Sequence, residues 1–171
     1  VNSKHGLDSK QIWDSAYQER TNKEEKKVWN RLNYLIFKEL PKVEKSAFIL
    51  EAGCGMSVLM NNLALREHNV IGLDISSIAL RNARKKYKKP ILVLGDINNL
   101  PFKECSFDLV YNVGVIEHFI NPHNPLKEIA RILKSHGTVL VVVPNRLNLW
   151  NFGRIFLNAM NRLGLHSGWR Y

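Results

Sequence analysis

Phe48-Ile49-Leu50-Glu51-Ala52-Gly53-Cys54-Gly55-Met56-Ser57 is the stretch whose reading decides the fold. The apolar run from Ala47 to Leu50 ends in an acid, Glu51, then breaks into Gly53-Cys54-Gly55 before a helical pattern starts at about Val58. This order predicts a buried strand, a tight turn and a helix running to about His68. Glycine suits such a turn because the backbone must bend sharply and admit a ligand where a Cβ would otherwise stand. The free N–H groups of the helix start point at the same spot, so the stretch reads as a nucleotide cradle.

A lone glycine loop is a weak signal, and the third glycine of G-x-G-x-x-G is absent because Met56-Ser57-Val58 follows Gly55. A second strand strengthens it. Val70-Ile71-Gly72-Leu73 ends in Asp74, about 20 residues beyond the turn, where a carboxylate suits the two hydroxyls of a ribose. Glu51 bears on which nucleotide this is. A carboxylate beside the turn repels the pyrophosphate of a dinucleotide but attracts the ammonium and sulfonium of S-adenosylmethionine. Charge thus argues against a nicotinamide oxidoreductase and for the methyl donor.

Outward from the turn the pattern alternates strand and helix, which predicts an α/β fold: a Rossmann-like, doubly wound, mainly parallel sheet with five strands visible. Strand one ends at Glu51 and strand two at Asp74, after which Ser76 caps a helix carrying Ile78, Ala79, Leu80 and Ala83. Strand three is Ile91–Leu94 and strand four Phe107–Val113. A helix follows over Leu126–Leu133 with Ile129, Ala130 and Leu133 inward, then a Ser135-His136-Gly137 turn and strand five, Thr138–Val143. Residues 47–145 form the core. Residues 1–46 are an N-terminal helical segment in which Val28, Leu32, Leu35, Ile36 and Leu40 mark an amphipathic helix ending at Pro41, while Trp13 and Tyr17 lie one turn apart. Residues 146–171 are a basic amphipathic segment with an apolar stripe (Leu149, Phe152, Phe156, Met160, Leu163) and Arg146, Arg154, Arg162 and Arg170 but no acid. Leaving the carboxyl end of strand five, this segment is expected on the acceptor side; packing on the sheet or contact with a membrane surface is the alternative.

With 171 residues and 45% apolar composition, the chain holds one domain with a sizeable core. Val139–Val143 is the longest apolar run, too short to span a bilayer, and the N-terminus is polar, so a soluble, cytoplasmic protein is expected. Cys54 and Cys105 have no C-x-x-C partner and the histidines no metal-type spacing, so no metal is implied. The net charge of +10 raises the question of an anionic partner. Arg81, Arg84, Lys85, Lys86, Lys88 and Lys89 form a run without acids that reads as a solvated helix end or an RNA patch.

Together these features resemble the class I S-adenosylmethionine-dependent methyltransferases, in particular the small-molecule type with a G-V-[IL]-E-H segment after strand four, here Gly114-Val115-Ile116-Glu117-His118. The resemblance covers about Ala47 to Asn145, with Ser57 as a departure where many relatives have glycine. It implies that Glu51, Gly53 and Gly55, with Cys54 between them, hold the methionine end of the cofactor, and that Asp74 with Ile75 holds the ribose. Asp96 is then placed by the adenine amino group with Ile97 packed on the ring, and Asn112 and Val113 line the site. Residues Trp13, Tyr17 and Arg20 become a candidate cofactor lid, against the plainer reading of a surface helix burying two aromatics. The family's closing antiparallel hairpin has no counterpart, so the chain is expected to be truncated before it; a naturally reduced sheet is the alternative.

Methyl transfer from a sulfonium is an in-line displacement whose main demands are alignment and exclusion of water. Where a base is needed, Glu117 and His118 are the catalytic candidates, since they follow strand four's carboxyl end; a helix-starting acid and a buried histidine are the alternative. No N-P-P-Y turn follows strand four, which argues against amino-group methylation of adenine or glutamine. The expected activity is methylation of a small, polar or anionic acceptor. A catalytically idle, cofactor-binding partner subunit and an RNA methyltransferase are the alternatives.

Overall fold

The computed structural model describes residues 8–19, 34, 36–38, 40–56, 58–64 and 66–143. In chain order these form helix α1 (Ser9–Glu19), strand β1 (Phe48–Ala52), helix α2 (Val58–Ala64), strand β2 (Asn69–Asp74), helix α3 (Ser77–Lys86), strand β3 (Ile91–Leu94), strand β4 (Phe107–Val113), a 3₁₀ turn (Ile116–His118), helix α4 (His123–Ile132) and strand β5 (Leu133–Val142). The sheet order is β3-β2-β1-β4-β5 and every described pairing is parallel. The sheet is therefore the doubly wound one expected, reversing direction between β1 and β4.

Side chains alternate across this sheet as the pleat requires. Ile49, Val70, Leu92, Leu109 and Tyr111 face one layer, where Leu59, Met60 and Leu63 of α2 and Leu80 of α3 cover them. Leu50, Ile71, Leu73, Val93 and Val110 face the other, covered by Ile129 and Ile132 of α4. Right-handed crossovers account for this division: β1 to β2 to β3 moves one way and leaves α2 and α3 on one face, and β4 to β5 moves the other way and leaves α4 opposite.

Ser76 caps α3 as expected, its Oγ accepting from the Ala79 N–H at 3.1 Å. β2, β3 and β4 end where the sequence pattern places them; several other bounds move. β1 extends one residue, to Ala52. α2 stops at Ala64, short of His68, because the Arg66 and Glu67 N–H groups bond back to Leu63 and Ala64 and Glu67 takes a left-handed conformation (φ 68°) that ends the helix. α4 starts three residues early, at His123, and buries Pro125, Ile129 and Ile132, while Ala130 is exposed and Leu133 already belongs to β5. No separate Ser135–Gly137 turn forms; β5 runs on from Leu133, with its register slipping between the Phe107↔Leu133 and Leu109↔Thr138 pairs. Of the expected helix before Pro41, Tyr34, Ile36, Phe37 and Lys38 are helical and Ile36 is buried, whereas Val28, Leu32 and Leu35 lie outside the described residues. Arg20, Ser57 and the segment 146–171 lie outside them too.

Candidate functional site

The carboxyl ends of β1, β2 and β4 and the loops that leave them build one edge of the sheet, the edge where open α/β sheets receive ligands. At the end of β1 the chain turns through Gly53 (φ 82°) and Gly55 (φ 50°), both in the left-handed region that side chains disfavour. The Gly53 and Cys54 N–H groups donate to the Leu73 carbonyl at 2.7 and 2.9 Å, which folds the turn onto β2. A Cβ on Gly53 would strike the Val115 side chain, and one on Gly55 the Tyr17 hydroxyl. Conformation thus demands glycine at both positions, and at Gly53 the crowding by Val115 does so as well.

Asp74 closes β2 beside this turn. Its Oδ2 accepts from the Gly55 N–H at 2.7 Å and its Oδ1 from the Ser76 N–H at 2.8 Å, so one carboxylate ties the β1 turn to the cap of α3. Asp74 has no cationic partner among the described residues, and burial pushes its carboxyl above the ordinary range in spite of these two bonds. Glu51 is buried as well, its Oε2 accepting from the Tyr111 hydroxyl at 2.8 Å across the Glu51↔Tyr111 register pair. Between the two acids, Cys54 turns its thiol inward; burial, then the charges of Glu51 and Asp74, push that thiol well above its usual value. It stays protonated and is no thiolate nucleophile.

Asn112, wholly buried at the end of β4, donates through Nδ2 to the Ala52 carbonyl at 2.6 Å and accepts the Ile116 N–H at 3.3 Å. It staples β1 to the turn carrying Glu117 and His118, both of which are exposed, with Val113 half-buried behind them. His118 is therefore not the buried histidine of the plainer reading. Across the edge, Ile75 is half-buried after Asp74. Asp96 is exposed after β3, its Oδ1 accepting the Asn98 backbone and side-chain N–H groups at 2.9 and 3.0 Å in an Asx-type turn. Ile97 is packed in the core with Leu73, Leu100 and Ile129.

Several contacts here escape a reading of the sequence alone. Tyr111 reaches Glu51, and Val115 fills the space beside Gly53, only because β4 lies next to β1. Arg131 donates to the Leu100 and Phe102 carbonyls while Glu128 accepts the Leu100 N–H, fixing the loop that carries Asp96 to α4. In α1, Trp13 meets His118 edge-on at 5.0 Å between ring centroids, and the Tyr17 hydroxyl stands against Gly55.

Two buried carboxylates beside a glycine turn suit a ligand that brings hydrogen-bond donors and positive charge, which a sulfonium nucleoside with an amino-acid tail does and a pyrophosphate does not. The comparisons agree with this chemistry. Residues 50–141 match the model of the methyltransferase domain family, and the chain belongs to that family. An uncharacterized protein of Methanocaldococcus jannaschii is 38% identical over 130 residues, covering 72% of this chain and 55% of the relative. A protein of Mycobacterium tuberculosis named as a probable S-adenosylmethionine-dependent methyltransferase is 29% identical over 119 residues, covering 70% of this chain and 43% of the relative. A chain from the complex of the Haloferax volcanii Trm112 methyltransferase activator with a methyltransferase superposes with TM-score 0.65 at 26% identity, over 80% of this chain and 61% of the other. Fold, site chemistry and family together make this a class I methyltransferase domain whose cofactor is S-adenosylmethionine. The chain spans about half the length of the curated relatives it matches. Among the described residues, no helix is long and apolar enough to cross a membrane.

Proposed function

We propose that the protein methylates a small, polar or anionic acceptor in the cytoplasm, using S-adenosylmethionine held at the glycine turn. The observation that carries this reading is the pair of buried acids, Glu51 and Asp74, flanking the left-handed Gly53 and Gly55. In it, Glu51 and the backbone of Gly53, Cys54 and Gly55 take the methionine end. Asp74, with Ile75 beside it, accepts from the ribose hydroxyls. Asp96 accepts from the adenine amino group through Oδ2, which has no partner among the described residues; with the Ile97 side chain in the core, that residue serves the base by its position next to Asp96. Asn112 and Val113 shape the wall below the reacting groups. The bound cofactor supplies an electrophilic methyl on a good leaving group. What remains for the chain is to orient the acceptor and keep water out.

Helix α1 of the N-terminal segment is the lid in this reading, with Trp13 and Tyr17 as its inner face. His118, exposed beside Trp13, is the base for a hydroxyl acceptor, with Glu117 next to it. The arginines of residues 146–171 contribute positive charge on the acceptor side. RNA ranks lower because of where the basic run lies. α3 starts at the ligand edge at Ser76 and returns toward the start of β3, so over 10 residues its Arg84–Lys86 end is carried ~15 Å to the far edge of the sheet.

A second reading, a cofactor-binding but catalytically idle partner subunit, has its own support: the Haloferax neighbour comes from a complex of a methyltransferase activator with a methyltransferase. The test is transfer of labelled methyl from S-adenosylmethionine to a panel of small hydroxyl, amine and carboxyl compounds and to RNA. Turnover on a small acceptor by the protein alone supports the first reading. Turnover on RNA alone, or turnover only after a partner is added, replaces it.

A further inference from the structure

α1 is 11 residues long and has no acid in its first turn, so it is too short to hold its helix or its place unaided. Its position comes from contacts with three separate loops of the ligand edge: Trp13 with the turn after β4, Tyr17 with the turn after β1, and Asp14 with the turn after β2. The Asp14 contact is the directional one to the cap of α3. Its Oδ1 accepts from the Ser76 hydroxyl at 2.6 Å and from the Ile78 N–H at 3.2 Å, while Lys10, one turn back, holds Oδ2 at 2.7 Å. Ser76 is shared: its N–H donates to Asp74, and its hydroxyl both donates to Asp14 and accepts from Ala79. A short relay thus joins the helix over the site to the acid assigned to the ribose.

We propose that Asp14 is a positioning residue for cofactor binding: by clasping Ser76 and Ile78 it holds α1 across the glycine turn, so that Tyr17 forms one wall of the S-adenosylmethionine site. The Lys10 and Ser76 bonds hold the Asp14 carboxyl down to about 2, so it is ionised whenever the protein works. This inference rests on the reading of the turn as the cofactor site. Asp14 touches neither cofactor nor acceptor in it, and acts through the placing of Tyr17.

The experiment uses S-adenosylhomocysteine as the probe, with calorimetry for affinity, stopped-flow for dissociation and amide exchange for residues 9–19. Asp14→Ala removes both bonds to α3; Asp14→Asn keeps an oxygen able to accept both while losing the charge facing Lys10. Asp14→Ala is expected to exchange its α1 amides faster and to raise Kd about tenfold, mainly through faster dissociation, with the core's unfolding midpoint unchanged. Asp14→Asn should recover most of the affinity. Wild-type affinity in Asp14→Ala, tighter binding, or faster α1 exchange with unaltered binding would each overturn the proposal, the last by showing that the clasp is structural only. Failure of the wild-type protein to bind the probe would overturn the cofactor site itself, a distinguishable result.

Discussion

Removing the Asn112 carboxamide should uncouple β1 from the loop after β4 and cost the fold several kcal/mol. The side chain is wholly buried and has one donor and one acceptor in use, to the Ala52 carbonyl and from the Ile116 N–H. That pair of partners also sets the orientation of its amide. Asn112→Ala leaves both partners without the side chain in a place water reaches poorly. A buried group stripped of its partner costs about 1–3 kcal/mol, and because Ile116 is only half-buried the combined loss is about 2–4 kcal/mol. For a domain of this size that corresponds to a fall in Tm of roughly 5–15 °C, readable by calorimetry or urea unfolding. Asn112→Asp is the control of similar volume. It keeps an oxygen for Ile116 but turns an ionised oxygen on the Ala52 carbonyl, so its folded-state carboxyl is raised above the ordinary value. Its penalty is then fully present above that raised value and is relieved as pH falls from there to the ordinary carboxylate value, where the protonated acid can donate. A stability within about 0.5 kcal/mol of wild type for Asn112→Ala, or a penalty in Asn112→Asp that ignores pH, would refute the staple.

Other outcomes follow from the same geometry. Tyr111→Phe deletes the hydroxyl that donates to Glu51 and should lower stability by about 1.5–3 kcal/mol in chemical denaturation, the scale of a hydrogen bond to a charged group; an unchanged midpoint would show that Glu51 is held by other groups. Affinity for S-adenosylhomocysteine should rise with pH through the elevated Asp74 value and then level off. The ionised carboxylate is the better acceptor for the ribose, and below that value binding releases its proton. Calorimetry in buffers of differing ionisation heat reads this directly, and a flat profile without proton release would contradict it. An inosine-type analogue of S-adenosylhomocysteine should bind the wild type more weakly than the parent and lose little further in Asp96→Ala; equal affinity of the wild type for both ligands would remove Asp96 from the adenine contact.

What the chain discloses in advance is what local pattern controls. β3 and β4 are bracketed by Pro90 and Gly95 and by Ser106 and Gly114, so their bounds are visible as apolar runs between breakers. The Ser76 cap needs nothing beyond its own helix. The α4 to β5 boundary was hidden because helix passes to strand at Leu133 without a breaker, and the Ser135-His136-Gly137 signal falls inside an irregular strand. At the candidate site, the turn at Gly53 and Gly55 and the strand-tip place of Asp74 were legible because each is set by local backbone pattern. The Tyr111–Glu51, Asn112–Ala52 and Asp14–Ser76 bonds each join residues 60 or more positions apart and require the β1/β4 register or the docking of α1, which no local window contains. A polar residue near the end of an apolar strand, as Asn112 is in β4, was the one local hint of a buried bond.

The central claim, that this domain holds S-adenosylmethionine at the glycine turn through Asp74, is tested most directly by titrating S-adenosylhomocysteine into the wild-type protein and into Asp74→Ala. Saturable one-site binding is expected for the wild type, together with an affinity lower by about 1.5–3 kcal/mol, roughly tenfold to hundredfold, in a variant that still unfolds cooperatively. No binding to the wild type, or equal binding to both proteins, would contradict it.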